Sequence, residues 1–159
     1  MADSIRKLIT DEIMRLLDGG PLQDSPGLRL GRVNKNRHLP IGRDELPMYS
    51  IYFIHEAPTT VGDPRRPVIL NRKLTVETRI IVHGNDDDAD PHCQWVIAQL
   101  GGAERLIGVD GTRLTMSISE GETVFGPLEG SDGKVTITTI RWIVEYQTLP
   151  ADITKVSAS

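Results

Sequence analysis

The chain has 159 residues, enough for one domain around one substantial core. Hydrophobic residues make up 38% and charged residues 25%, an ordinary globular balance, and no apolar run approaches the ~20 residues that span a bilayer. A formal net charge of −4 argues against a free-standing nucleic-acid binder, whose affinity rests on neutralising phosphates.

Residues 3–18 read as an amphipathic helix. Ile5, Leu8, Ile9, Ile13, Leu16 and Leu17 fall on one stripe. Asp3 or Ser4 can cap its start, and Gly19, Gly20 and Pro21 stop it. The acids in this segment and its lack of a continuous apolar run set it apart from a secretory signal. Leu28 to Val33 is a short candidate strand, followed by a loop over residues 34–47.

Met48 to Glu56 alternates as a strand, with Tyr49, Ile51, Phe53 and His55 on one face and Met48, Ser50, Tyr52 and Ile54 on the other. Residues 57–71, with three prolines and a basic centre, read as a long loop. Arg72 to His83 is the next strand. Leu74, Val76, Thr78, Ile80 and Val82 share its more apolar face.

Asp90 followed by Pro91 predicts a helix start, and Cys93, Val96, Ile97 and Leu100 give that helix an apolar stripe. Cys93 is the chain's one cysteine, so no internal disulfide is expected, and its place on the stripe marks it as a buried small hydrophobe. A helical turn at Ala103 to Ile107 follows. Thr112 to Glu120 reads as a half-exposed strand, and residues 121–133 as a second long loop.

The strongest element is Lys134 to Leu149, a long β-branched and aromatic run without Gly or Pro. Thr136, Thr138, Ile140, Trp142, Val144, Tyr146 and Thr148 form the face expected to meet the core. The order of elements predicts an α+β fold: a mostly antiparallel or mixed sheet with two helices on one face and long loops between strands. Residues 1–150 make one domain, and residues 151–159 are expected to form a flexible tail.

No constellation of catalytic residues stands out. Asp86, Asp88 and Asp90 have the alternate spacing of a calcium loop, but Pro91 stands where glycine is needed and Ile97 where a bidentate glutamate is needed. An acidic helix entrance explains the cluster. His83, Asp88 and His92 can be drawn as a zinc set without diagnostic spacing. His38 and His55 with Asp44 or Glu45 can be drawn as an acid–base pair, though His55 reads as a sheet residue. No G-x-S-x-G elbow occurs.

Charge is unevenly spread: residues 29–73 hold nine basic and four acidic side chains, and residues 81–159 hold five basic and twelve acidic ones. Either both regions are solvated faces, or opposite patches draw copies together head to tail. The candidate interface on the second reading is Arg65, Arg66, Arg72 and Lys73 against Glu120, Glu122, Glu129 and Asp132 of a neighbour.

Taken in order, five stretches resemble the tail terminator proteins of long-tailed bacteriophages, also called tail completion or minor tail protein U-like proteins. They are SIRKLITDEIMRLL, MYSIYFIHE, RKLTVETRIIVHG, DDADPHCQWVIAQL and the closing IRWIVEYQTLPADI. The strand end Arg79 to Gly84, the acidic run Asp86 to Asp90, and Val144, Tyr146 and Thr148 carry the likeness, which covers roughly residues 4–152.

The resemblance implies a helix-on-sheet fold and a homohexameric ring in the tail–neck region of the virion, assembled in the host cytoplasm. That ring caps the tail tube, ends tube polymerisation and docks the head-completion or connector protein. It implies no enzymatic activity, no cofactor and no membrane partner, with DNA passing through the lumen as a possible contact. A neck connector or adaptor, and a small metal-dependent hydrolase built on His83, Asp88 and His92, are the alternatives.

Overall fold

The computed structural model describes residues 3–17, 32–35, 47–61, 69–101, 114–115, 117–127, 135–149 and 152–156. The elements are α1 (Ile5–Leu17), β1 (Arg32–Lys35), β2 (Met48–Val61), β3 (Ile69–His83), α2 (Asp86–Gly101), β4 (Ser117–Pro127), β5 (Val135–Leu149) and β6 (Asp152–Val156).

In α1, Ile5, Ile9, Ile13 and Leu17 recur every four residues and are all buried. Ser4 caps the helix: its Oγ accepts from Lys7 N at 3.2 Å and its carbonyl from Leu8 N at 3.1 Å. Asp3 instead pairs with the Lys7 ammonium at 2.7 Å.

The strands form one sheet in the order β1-β2-β3-β5-β4, with β6 added against β5. β1 runs parallel to β2, and the other pairings are antiparallel. Both helices lie on one face, so the domain is α+β with a mixed, mostly antiparallel sheet.

The core is that helix-covered face. Leu74, Val76, Ile80 and Val82 of β3 and Ile140, Trp142, Val144 and Tyr146 of β5 meet Ile9, Ile13, Val96 and Leu100 of the helices. The period of two assigned these side chains correctly. A smaller cluster of Met48, Ile81 and Val135, with Ile137 half-buried beside it, lies on the opposite face.

Five boundaries differ from the sequence reading. The segment 57–71 is mostly strand: Ala57 to Val61 pairs residue by residue with Lys73 to Ile69. Pro58 hid this, yet proline is tolerated on an edge strand. The strand expected over Thr112 to Glu120 begins at Ser117 and runs to Pro127, so 121–127 is not loop. A bulge between Glu120 and Thr123 broke the alternation there.

Helix α2 starts one turn before Asp90. Asn85 Oδ1 accepts from Asp87 N at 3.0 Å, and Asp88 Oδ2 accepts from Asn85 N at 2.9 Å. This reciprocal cap outcompetes the Asp90–Pro91 start and leaves Pro91 inside the helix. Gly84, at φ +107°, makes the turn from β3 into this cap, where an added Cβ would fall 1.9 Å from Asp88 Oδ2.

The expected tail supplies β6. Thr148 pairs with Leu70 on one side and Val156 on the other, so Asp152–Val156 takes the edge of β5 beyond β4. Backbone pairing to β5 holds this strand. The short strand near Leu28 to Val33 is Arg32–Lys35 among the described residues. The turn at Ala103 to Ile107 lies outside them.

Candidate functional site

Three polar clusters gather the chemistry-bearing side chains, and each is closed by its own partners. The first surrounds Glu56. The register shift between Phe53 and His55 returns Glu56 to the helix-covered face, opposite Leu74. Its carboxylate accepts the Tyr146 hydroxyl and Arg72 Nη1 at 3.2 Å, and Arg6 Nε stands at 3.6 Å. Arg72 Nε also donates to Thr148 Oγ1 at 2.9 Å. Burial, then the bond to Glu56, pushes the Tyr146 phenol well above its ordinary range. This carboxylate is saturated by cations and a phenol, and it clasps α1 to β2, β3 and β5.

The second lies on the face opposite the helices. Glu77, almost wholly buried, accepts from Arg79 Nη2 at 3.0 Å and Arg141 Nε at 3.1 Å. Arg79 also lies 4.1 Å over the Tyr52 ring, and Arg141 Nη1 is 3.7 Å from Glu122. The result is a charge ladder running across four strands.

The third joins α2 to β2. Tyr49 and His92 Nδ1 share a hydrogen bond of 2.7 Å, and Trp95 stacks on Tyr49 at 5.6 Å. Burial raises the Tyr49 phenol and lowers His92, which favours a neutral phenol beside a neutral imidazole. A Tyr–His pair suits proton transfer only where a substrate can reach it. Here an indole covers the pair and both residues are buried.

The residues singled out from sequence are dispersed. His83 is exposed at the end of β3, His92 turns inward to Tyr49, and Asp88 caps α2. Among the described residues no three His, Cys, Asp or Glu side chains converge on a metal-sized space. Asp90 accepts from Gln94 at 2.6 Å. His55 is exposed on β2, while His38, Asp44 and Glu45 lie outside the described residues. Cys93 is buried on α2.

Of the candidate interface, Arg72 is engaged inside the subunit by Glu56 and Thr148. Lys73 is well exposed, with Glu145 at 3.6 Å. Glu120 and Glu122 are exposed on β4. Arg65, Arg66, Glu129 and Asp132 fall outside the described residues.

Comparison with models of known protein families and with curated proteins gives no match. No helix among the described residues is long and apolar enough to cross a membrane.

The surface that stands out is the β4 edge. Among the described residues β4 has a strand neighbour on the β5 side alone. Ser119 to Glu122, Val124 and Phe125 are all exposed, Phe125 at 62%. An open strand edge with apolar side chains is a template for pairing with another chain. Sequence reading named Glu120 and Glu122 but ended the strand at Glu120, because the bulge there made 121–127 resemble a loop.

Proposed function

We propose that this protein is a structural component of a phage virion, a ring-forming terminator that caps the tail tube. The ring ends tube polymerisation and offers the docking surface for the head-completion complex. The resemblance of five stretches of sequence supports this reading. So does the engagement of the buried ionisable groups Glu56, Glu77 and His92 in holding the fold.

The observation that carries it is the exposed edge of β4, with Val124 and Phe125 beside Glu120 and Glu122. A ring needs contacts in which one patch meets a different patch on the next copy. An open strand edge supplies backbone donors and acceptors for such a contact, and assembly hides groups that would otherwise invite aggregation.

Electron microscopy of particles assembled without this protein tests the proposal. Over-long tails are the expected result. Tails of normal length detached from heads would reassign the protein to the neck as a connector, and intact particles would remove both roles.

A further inference from the structure

We propose that neighbouring copies join edge to edge, with β4 of one subunit pairing antiparallel to the Ile54–Ala57 segment of β2 in the next. This rests on the ring reading and names its junction. Two opposite edges of one sheet carry the evidence. β1 covers β2 only from Met48 to Ile51, and among the described residues no strand lies on that side from Ile54 onward. Of the five large apolar side chains exposed among the described residues, four form two consecutive pairs. Phe53 and Ile54 (36% and 44%) sit at one edge, and Val124 and Phe125 (47% and 62%) at the other.

Strand direction fits. β2 is antiparallel to β3, β3 to β5, and β5 to β4, so β2 and β4 run oppositely. A second copy in the same orientation therefore sets its β2 antiparallel against β4, continuing the pattern of the sheet.

Side-chain faces fit as well. Setting Ile54 against Phe125 places His55 against Val124, Glu56 against Thr123 and Ala57 against Glu122. His55 and Val124 both lie on the face opposite the helices, across from Thr75 and Thr139. Glu56 and Thr123 both lie on the helix-covered face, opposite Leu74 and Ile140. A slip of one residue would put each side chain against one from the wrong face. Pro58, which has no N–H to offer, ends the run.

Charge follows the same register. Lys73 pairs with Ala57 inside the subunit, so Lys73, the small Ala57 and the neighbour's Glu122 fall in one row. The lysine can reach the carboxylate across the alanine.

The register implies a stagger. Within one subunit His55, Thr75, Ile143 and Ser119 share a row, whereas Val124 pairs with Thr139, four residues along β5. Four residues are about 14 Å, and the repeat of four strands is about 19 Å wide, a tilt of about 35°. Closed cylindrical sheets tilt their strands by about this much. The same stagger carries the end of β4 clear of β1.

Light scattering on two edge-blocked variants and their mixture tests the junction. Ile54→Asp blocks one edge and Phe125→Asp the other, both at exposed positions. Wild-type protein should assemble, and each variant alone should stay at the subunit mass of 17.6 kDa with an unchanged melting temperature. The equimolar mixture should form dimers of twice that mass, because one intact edge of each kind remains. The recovery itself shows that both variants are folded. Assembly of either variant alone, or a mixture that stays monomeric while the wild type assembles, overturns the junction and leaves the ring standing. A wild type that never assembles overturns both.

Discussion

Glu77 on β3 and Arg141 on β5 face each other across the sheet, with the carboxylate accepting from Nε at 3.1 Å. Arg79 holds the other oxygen. Because Glu77 is buried, removing it takes the counter-charge from Arg79 and leaves Arg141 only the longer contact to Glu122. Glu77→Ala is expected to cost about 2–3 kcal/mol in urea unfolding. Lys73→Ala, which removes the exposed contact to Glu145, is expected to cost under about 1 kcal/mol of subunit stability.

Two buried threonines should respond oppositely to the same change. Thr78 Oγ1 accepts from Trp142 Nε1 at 3.1 Å, and Trp142 is fully buried. Thr78→Val leaves that indole N–H unsatisfied and should destabilise by about 1–3 kcal/mol. Thr138 Oγ1 is buried without a hydrogen-bond partner. Thr138→Val should be neutral or stabilising by up to about 1 kcal/mol, since no bond is lost and an apolar group replaces a desolvated hydroxyl. Thermal melts of the two variants side by side check the contrast.

The buried imidazole gives stability an acid limb. Burial lowers the His92 pKa, so the unfolded chain takes up this proton first as pH falls below about 6.5. Stability is therefore flat above that pH for this group and declines below it, down to the folded pKa. His92→Gln should flatten the fall in unfolding free energy between about pH 6.5 and 5 relative to wild type. At the alkaline end, Tyr49 and Tyr146 are both raised by burial. Their absorbance near 295 nm should stay that of the protonated phenol past about pH 10 and change only as the fold is lost.

The turn into α2 is sensitive at two levels. Asn85→Ala removes a side-chain cap and should cost about 1 kcal/mol. Gly84→Ala should cost more, because it strains a positive φ and drives Cβ into Asp88. Chemical denaturation of both variants ranks them.

The core face of β3 and β5 was legible because its side chains alternate without interruption, from Leu74 to Val82 and from Thr136 to Thr148. Legibility failed wherever a single residue altered the period. The bulge after Phe53 turned Glu56 inward, and the bulge after Glu120 disguised the rest of β4 as loop. Pro58 read as loop and Pro91 as a helix start, although an edge strand and a helix interior accommodate them.

His92 was equally opaque. It read as one of an acidic cluster, whereas it lies three residues before Trp95 and four before Val96 and is buried with them. Charge alone did not separate Arg72, which is engaged inside the subunit by Glu56, from the exposed Lys73.

Native mass spectrometry of the purified protein across a concentration series, alone and with tail tube protein, tests the central claim most directly. The account predicts a closed oligomer at a fixed multiple of 17.6 kDa, with six copies expected. A single subunit mass at every concentration, unchanged by tube protein, would contradict it.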